Sequence, residues 1–509
     1  MWSGTPFRRR FVLAATALAL GASAQAQTGA AVSPRAAEHK IVLIARQDPG
    51  TLDFVKSRLT ALRLWIPGNV LEPLVYFNKD GSVSPAAAES WTISDDKRTY
   101  TFRIRKGRFS NGAPVTADDV VYSLTTMRKS PIAAYAAAFR SVTDIAKVDD
   151  QTVKVTLSAP SQLFWLGMGS MSGLIQPEAA AAGIATNPIG SGPYKLVRYV
   201  PNSALEFVAN PEYWGGAPPV ANVTVRIIPD GTAALNAMEA GEADAFPAVT
   251  VDLWEQVGKR GLDKSLSLVT YPQLGEPTYA VLNSKLPLPL RQTIAETFDR
   301  ESFKEAFGAS WGAESTCTYA LPNQSWYRPA NAENCPYPYD LEKASKAAKT
   351  EGYDRKPIVV ASLSDVPDLS LPADIMIGEM EAAGLKVDRH AMDLARYAQL
   401  IFQGQPPQFD VTVMSSAPDP TQFACPDPAK VNWNTYCSAE YTAALGKADT
   451  ALTTEEYNKS MAEAASILRK DAVIVPLLAK TGVGLFRREL HGFLEPRLNV
   501  AIEFSHLHW

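Results

Sequence analysis

The chain has 509 residues, of which 46% are hydrophobic and 20% are charged, with 49 Lys and Arg against 53 Asp and Glu. Average apolar content with a net charge near zero excludes an intrinsically disordered protein, and the length predicts about two to four domains. Removing an N-terminal segment that carries Arg8, Arg9 and Arg10 takes away three positive charges and changes the formal charge from -4 to -7. Such an acidic chain is not expected to bind nucleic acid, which requires a net basic surface.

Residues 1–26 have the pattern of a cleavable signal peptide. Arg8–Arg10 form a basic region, Phe11 opens an apolar run, and Ala24-x-Ala26 is a small-residue cleavage pattern, so we predict cleavage after Ala26. The apolar run is shorter than the roughly 20 residues that a transmembrane helix needs. The three arginines followed by Phe11 also resemble a twin-arginine signal, which leaves Sec and Tat export open. With no cysteine near the cleavage position, we expect a periplasmic protein without a lipid anchor.

The four cysteines are expected to form disulfides. An even number of cysteines in an exported chain favours two bridges. Of the three possible connectivities, we favour the local one, Cys317–Cys335 with Cys425–Cys437. A zinc site is not predicted, because the chain has no CxxC pair and no histidine close to these cysteines.

Apolar periodicity predicts strands that alternate with helices after a flexible leader at residues 27–38. The predicted strands are Lys40–Ala45, Thr99–Arg105, Gln151–Leu157, Ala204–Val208, Val223–Ile228, Tyr279–Asn283, Ile358–Ala361 and Phe409–Met414. A capping box at Thr116–Asp119 predicts one helix, and the other predicted helices are Thr232–Ala240, Pro289–Phe307, Asp340–Glu351, Ala373–Ala383, Arg396–Gln403 and Thr454–Lys470. This alternation predicts an α/β protein.

The catalytic motifs are incomplete. Ser94-x-x-Lys97 and Lys480-Thr-Gly482 match two motifs of penicillin-recognising serine enzymes, but the third, S-x-N, does not occur. Its serine should begin a buried helix, whereas Ser94 lies in a polar turn. The five histidines are scattered, and His506-Leu-His508 is a weak metal pattern. We therefore predict neither an enzyme nor a bound metal or cofactor, and keep a secreted serine hydrolase as an alternative.

Several segments resemble the family 5 extracellular solute-binding proteins of ABC importers, which include dipeptide-, oligopeptide- and nickel-binding proteins. The segments that carry the resemblance are Leu71–Asn78, Ser84–Trp91, Tyr100–Gly107, Phe109–Gly112, Thr116–Ser123, Asn187–Tyr194, Asn210–Gly216 and Ala234–Asp244, with a weaker block made of Leu282–Asn283, Leu290–Gln292 and Phe298–Glu301. Their order and spacing match the family across about residues 40 to 500.

The resemblance implies a two-lobed periplasmic-binding-protein architecture of type II, cluster C, with an extra subdomain on the first lobe. The implied parts are residues 39–75, 188–278 and 484–509 for the core of lobe one, 76–187 for its subdomain, and 279–483 for lobe two. The chain would cross a hinge near Pro277–Tyr279 and near Thr481–Gly484. The implied function is capture of a peptide or peptide-like solute by a monomer, which delivers it to the permease and ATPase of an ABC transporter.

The implied ligand site departs from the pattern of the dipeptide-binding branch, in which an aspartate of lobe two pairs with the peptide's amino group. Alignment of its terminal Asp-Pro with Asp419-Pro420 puts Ser416 at that position, leaving Asp419 as the nearby carboxylate. The region where a carboxylate-binding arginine is expected, Ser362–Leu369, contains none. Because a buried ligand charge needs a paired charge, a free zwitterionic dipeptide is disfavoured.

Other solutes, such as an opine, an oligosaccharide or a metal chelate, remain alternatives to a peptide. Further candidate ligand contacts are Trp433, Tyr436, Trp65 and Arg396. For each of the aromatic residues, the alternative to a ligand contact is packing in the hydrophobic core.

Overall fold

The computed structural model describes residues 40–493 and 502–509, except residues 58, 79, 248, 250, 308–312, 321–325, 354, 365–366, 394–395, 398, 401–407, 416–419 and 426–433. The predicted signal peptide and leader, and the candidates Ser416, Asp419 and Trp433, lie outside the described residues. No helix within the described part of the chain has the length and hydropathy to cross a membrane.

The described elements alternate along the chain. Up to residue 183 they are β1 (Lys40–Ala45), α1 (Thr60–Trp65), β2 (Val75–Phe77), β3 (Val83–Pro85), β4 (Ala88–Ile93), β5 (Thr99–Ile104), α2 (Ala117–Arg128), α3 (Ala133–Ala137), β6 (Val142–Asp149), β7 (Thr152–Leu157) and α4 (Gln162–Gly167). Up to residue 282 follow β8 (Tyr194–Val200), β9 (Ala204–Ala209), β10 (Asn222–Ile227), α5 (Gly231–Glu239), β11 (Ala245–Phe246), α6 (Val251–Lys259) and β12 (Leu266–Leu282).

The remaining elements are α7 (Leu288–Thr297), α8 (Arg300–Phe307), β13 (Glu314–Ser315), α9 (Pro329–Glu333), α10 (Leu341–Thr350), β14 (Ile358–Leu363), α11 (Pro367–Ala382), β15 (Val387–Met392), β16 (Val411–Ser415), α12 (Ala439–Asp449), α13 (Thr454–Lys470) and β17 (Ile474–Arg487). Short 3-10 turns at Met171–Gly173, Glu178–Gly183, Leu262–Lys264, Pro420–Phe423 and Phe504–His506 connect them.

One large mixed sheet passes through the molecule. Among the described residues it has eleven strands, in the order β15-β14-β16-β12-β17-β11-β1-β10-β9-β8, with β13 also paired to β17. β12 and β17 are antiparallel from Leu266 opposite Arg487 to Val281 opposite Ile474, and their register shifts between Tyr271 and Glu276. These two long strands therefore belong to both halves of the sheet.

A second, antiparallel sheet of order β4-β5-β7-β6 is formed by residues 88–157. The alternation seen in the sequence is confirmed, since Tyr100, Phe102 and Ile104 of β5 are buried. Helix α2 starts at the predicted capping box, in which Asp119 accepts a hydrogen bond from the backbone N–H of Thr116. The buried face of this sheet joins the same hydrophobic core as β1 and β10.

Separate hydrophobic cores lie on either side of the middle of β12. One contains Ile41, Phe102 and Val223, from β1, β5 and β10. Two others contain the second part of β12, with Tyr279 and Val281 packed against α12 and α13, and Ala280 and Leu282 packed against α7 and α11. Burial of apolar area stabilises each core by about 25 cal/mol per Å², so each half has its own source of stability.

The predicted helix Pro289–Phe307 is wrong, because the structure has two helices there. Phe298 adopts an extended backbone conformation after α7, and the Asp299 carboxylate accepts hydrogen bonds from the N–H of Glu301 and the hydroxyl of Ser302. An aspartate that bonds to the following backbone starts a new helix instead of continuing the old one. The strand predicted at Tyr279–Asn283 is the last part of the much longer β12.

The structure pairs the four cysteines as the sequence favours. Cys317 bonds to Cys335 and Cys425 bonds to Cys437, with Cα–Cα distances of 5.0 and 4.2 Å. Both bridges close short loops between elements that pack on the second part of β12 and its neighbours.

Candidate functional site

The strand directions place two sets of carboxyl ends at the middle of β12. β1 is parallel to β10 and β11, and β11 is antiparallel to β17, so β1 and β10 run in the same direction as β12. They end near the middle of β12, at Ala45 and Ile227. β16 is antiparallel to β12 and approaches from the other side, ending at Ser415 opposite Thr278. β14 and β15 run parallel with β16.

This arrangement makes the middle of β12 the candidate binding site. In open α/β sheets, ligands bind in the crevice outside the carboxyl ends of parallel strands. Here two such edges, one from each half of the sheet, face each other where β12 and β17 pass between the cores. We call them the first edge, after Ala45 and Ile227, and the second edge, after Leu363, Met392 and Ser415.

The first edge presents a cation that the sequence patterns did not single out. Arg46 follows β1 directly and is half-buried, and its Nε donates a hydrogen bond to the carbonyl oxygen of Pro229 at 3.3 Å. Among the described residues, no carboxylate lies within ion-pair distance of its guanidinium. Its neighbour Asp48 is already engaged by the hydroxyl of Tyr199 and the backbone N–H of Asn202. The terminal nitrogens of Arg46 are therefore available to an anionic group.

The second edge is rigid at its base. The hydroxyl of Tyr397 donates to the carbonyl oxygen of Val413 at 2.9 Å and lies 2.6 Å from Oγ1 of Thr412. Burial raises the pKa of Tyr397 to about 12, so this side chain stays neutral. Its hydrogen bonds hold β16 in place. The candidate Arg396 follows β15 on the same edge with an exposed side chain, and its N–H donates to the Asp393 carboxylate at 2.9 Å.

The two described aromatic candidates lie in the cores. Trp65 is 1% exposed and its ring stacks on Phe504, with 6.3 Å between ring centroids. Tyr436 is 4% exposed and donates a hydrogen bond of 2.5 Å to Asp471. Burial, and then this bond to a carboxylate, raise the pKa of Tyr436. In this conformation neither ring has an open face for a ligand, because each packs against the protein.

The candidates Ser416 and Asp419 fall between Ser415, which ends β16, and Pro420, which begins the next 3-10 turn. They lie outside the described residues, as does Trp433.

Several of the segments that carry the family resemblance meet at one buried carboxylate. Glu72 is 0% exposed and accepts hydrogen bonds from Oγ of Ser191 at 2.8 Å and from Nε1 of Trp214 at 3.0 Å. The guanidinium of Arg105 covers the Trp214 ring, 3.8 Å from its centroid. Gly190, in the same turn as Ser191, passes so close to the carbonyl of Val70 that a Cβ would clash. These segments therefore hold the second sheet against the first core.

The enzyme-like pattern does not form a catalytic site in the described residues. Oγ of Ser94 donates to the Asp96 carboxylate at 2.6 Å within the β4–β5 turn, whereas Lys480 lies on β17. The C-terminal histidines are not grouped for metal binding either, since no cluster of three metal-ligating side chains occurs in the described part of the chain.

Comparisons with known proteins agree with this geometry. A family model described as bacterial extracellular solute-binding proteins, family 5 Middle, matches residues 82–435. The chain is similar to heme-binding protein A of Haemophilus influenzae, with 26% identity over 478 aligned positions that cover 84% of this chain and 84% of that protein. It is also similar to a probable di/tripeptide-binding protein 5 of Pseudomonas aeruginosa, with 27% identity over 460 positions that cover 81% and 85%.

A solved structure shows the same fold. The dipeptide-binding protein of Pseudoalteromonas sp. SM9913, in complex with Met-Leu, matches with a TM-score of 0.78 and 17% identity, covering 92% of this chain and 99% of that chain. The two-lobed architecture implied by the sequence is thereby confirmed.

The Glu72 cluster generates a stability prediction. We expect Glu72→Ala to lower the free energy of unfolding by about 1–3 kcal/mol, because it leaves the buried hydroxyl of Ser191 and the half-exposed indole N–H of Trp214 without their acceptor. Urea unfolding measures this loss. Glu89→Ala is the matched control, since Glu89 forms only an exposed ion pair with Arg103 at 3.6 Å and should cost under about 1 kcal/mol. Equal losses in the two variants would contradict a structural role for the cluster.

Proposed function

The chain belongs to the family 5 bacterial extracellular solute-binding proteins, and from this membership we propose that it captures a peptide or peptide-like solute by closure of its lobes and delivers it to an ABC transporter permease. The family consists of solute-binding proteins and not of enzymes. Its members are periplasmic, in agreement with the signal peptide predicted at residues 1–26. The observation that supports the proposal is that two sheet edges, each formed by the carboxyl ends of strands, face each other at the middle of β12.

Lobe closure follows from the placement of these edges. A solute held between them contacts both lobes only when the lobes are closed, so it binds the closed state more tightly and increases its population. We assign the lobes as the sequence does, with residues 39–75, 188–278 and 484–509 in the core of lobe one, 76–187 in its subdomain and 279–483 in lobe two. The register shift between Tyr271 and Glu276, opposite glycine-containing residues 480–482, supports a hinge at this crossing.

Two charged residues that follow strands of the opposing edges in the chain favour a solute that has both an amine and a carboxylate. Asp419, which comes after β16 in the chain, supplies a carboxylate for an amino group, in place of the aspartate used in the dipeptide-binding branch. Arg46 on the first edge supplies the cation that is missing from Ser362–Leu369. Arginine forms strong, bidentate hydrogen bonds with carboxylates. A peptide-like solute would thus connect the two lobes through its two ends.

The direct test is to identify the solute that the protein carries. Protein purified from its native periplasm is denatured, and the released small molecules are analysed by mass spectrometry. We expect a peptide or a peptide-like compound in amounts stoichiometric with the protein. An opine, an oligosaccharide or a metal chelate would overturn the peptide assignment while leaving solute binding intact.

The Asp419 anchor predicts a loss of affinity without a loss of stability. We expect Asp419→Ala to weaken binding of the identified solute by about tenfold or more, because a charged hydrogen bond to its amine is lost. Calorimetric titration measures the affinity, and the thermal midpoint of the ligand-free protein should not change. Asp388→Ala, which removes an exposed carboxylate from β15, is the control. Unchanged affinity in Asp419→Ala would exclude the anchor.

The Arg46 anchor predicts discrimination between a free and a blocked carboxylate. We expect the wild-type protein to bind trialanine about tenfold or more tightly than trialanine amide, and Arg46→Gln to bind the two alike. Arg128→Gln, at the exposed end of α2, should keep the wild-type preference. Retention of that preference in Arg46→Gln would contradict the assignment, whereas binding of neither peptide by the wild type would argue against the peptide class itself.

A further inference from the structure

A set of hydrogen bonds joins the two lobes at a place distinct from the crossing strands. Asp449, the last residue of α12, uses Oδ1 to accept hydrogen bonds from Oγ of Ser161 at 2.8 Å and from the backbone N–H of Leu163 at 3.1 Å. Beside it, Nε2 of Gln162 donates to the carbonyl oxygen of Ala451 at 2.9 Å. The first turn of α4 is thereby bonded to the C-terminal end of α12.

The two partners of this contact belong to different cores. On one side, Phe164 of α4 is fully buried with Tyr100 of β5, and their rings are 4.9 Å apart. On the other side, Ala444 and Ala448 of α12 are buried in the core that contains the second part of β12. Asp449 therefore connects the subdomain of lobe one to lobe two, although it lies 288 residues after Ser161 in the chain.

The contact is partly shielded from water. Ser161 is 3% exposed, and Asp449 is half-buried. Burial is the main cause that raises the pKa of Tyr100 in the subdomain and of Tyr457 in α13 to about 12, and the negative charge of Asp449 adds to the effect at both hydroxyls. The carboxylate thus lies close to a buried tyrosine of the subdomain and to a partly buried tyrosine of lobe two, where a charged hydrogen bond is stronger than in bulk water.

Helix α4 does not require this contact in order to form. Oγ of Ser161 caps the helix by accepting a hydrogen bond from the N–H of Phe164 at 3.1 Å. When the lobes separate, the N–H of Leu163 and the carboxylate of Asp449 become hydrated. The exchange of a protein bond for bonds to water leaves a modest net difference, so the contact is able to form and break with lobe motion.

We infer that Asp449 is a positioning residue for lobe closure, which binds the first turn of α4 in the closed state and so strengthens solute binding without touching the solute. The inference rests on the closure mechanism proposed above. Rotation about the crossing of β12 and β17 moves the two cores relative to each other, and the bonds from Ser161, Gln162 and Leu163 exist only when α4 and α12 meet. Their energy favours the closed state whether or not a solute is present.

The role of Asp449 is tested most directly on the ligand-free protein. All four cysteines of the chain are in disulfides, so introduced cysteines are the only thiols for labelling. Spin labels at Val148→Cys in β6 and Tyr339→Cys before α10 sit at exposed positions, 59% and 46% exposed, one in each lobe. Pulsed electron resonance then gives the distribution of distances between the lobes.

We expect Asp449→Ala to increase the ratio of open to closed molecules about tenfold in the ligand-free protein, and Asp449→Asn, which retains the acceptor oxygen but not the charge, to give a smaller increase. Ser161→Ala combined with Asp449→Ala should open the lobes no further than Asp449→Ala alone, because both groups serve one contact. Glu440→Ala, an exposed carboxylate in the first turn of α12, should leave the distribution unchanged. The single variants at positions 449 and 440 should keep the wild-type thermal midpoint, whereas the double variant also loses the Ser161 cap of α4 and is compared only by its distance distribution.

An Asp449→Ala distribution identical to that of the wild type would overturn the inference. The affinity for the solute identified by mass spectrometry provides the second readout, with an expected loss of about tenfold in Asp449→Ala. A failure of the closure mechanism itself would give a different result. In that case, addition of the solute would leave the distance distribution of the wild-type protein unchanged, and the same would hold for every variant at position 449.

Discussion

The continuous antiparallel pairing of β12 with β17 is the constraint on which the structure depends. Both strands run through the cores of the two lobes, from Leu266 opposite Arg487 to Val281 opposite Ile474. Their directions fix those of all strands paired beside them, so β1 and β16 end at the same crossing from opposite sides. Two strands that cross between separate cores also permit rotation of the lobes while keeping them joined. Our proposal of lobe closure rests on this geometry.

The residues that stabilise the packing of lobe one are distinct from those that would recognise a solute. Glu72, Ser191 and Trp214 form a hydrogen-bonded cluster within the core of lobe one, and Arg105 of the subdomain covers the Trp214 ring. Because of this attachment, α4 should move with lobe one as a rigid part, and its contact with Asp449 then depends on the angle between the lobes. Arg46 and the segment around Asp419 instead follow strands in the chain, and they are the residues that we propose recognise the solute.

Local features of the fold were predictable from sequence because their causes are local. The apolar run Lys40–Ala45 and the alternating pattern of β5 directly indicate which of their side chains are buried. Helix α13 has the predicted bounds Thr454–Lys470, since Thr453 and Glu456 form a capping box at its start. The break at Asp299 was missed because the helical periodicity continues across it. Only the cap geometry of the aspartate separates α7 from α8.

The site was less predictable because it depends on strand order and register. The sequence shows that Arg46 directly follows a buried strand. That this residue faces the second edge can be inferred only once β1 is known to run parallel to β12. Trp65 and Tyr436 show the converse difficulty, since a large aromatic side chain is equally suited to a core and to a ligand, and both are buried here. The cross-lobe bonds of Asp449 have no sequence signature, because their partners are far apart in the chain.

Closure around a solute is the central claim, and small-angle X-ray scattering of the wild-type protein tests it most directly. The scattering of the ligand-free protein is compared with that of the protein saturated with the solute recovered from its native periplasm. Closure about the crossing of β12 and β17 predicts a smaller radius of gyration with the solute bound. An unchanged radius of gyration at saturation would contradict the account.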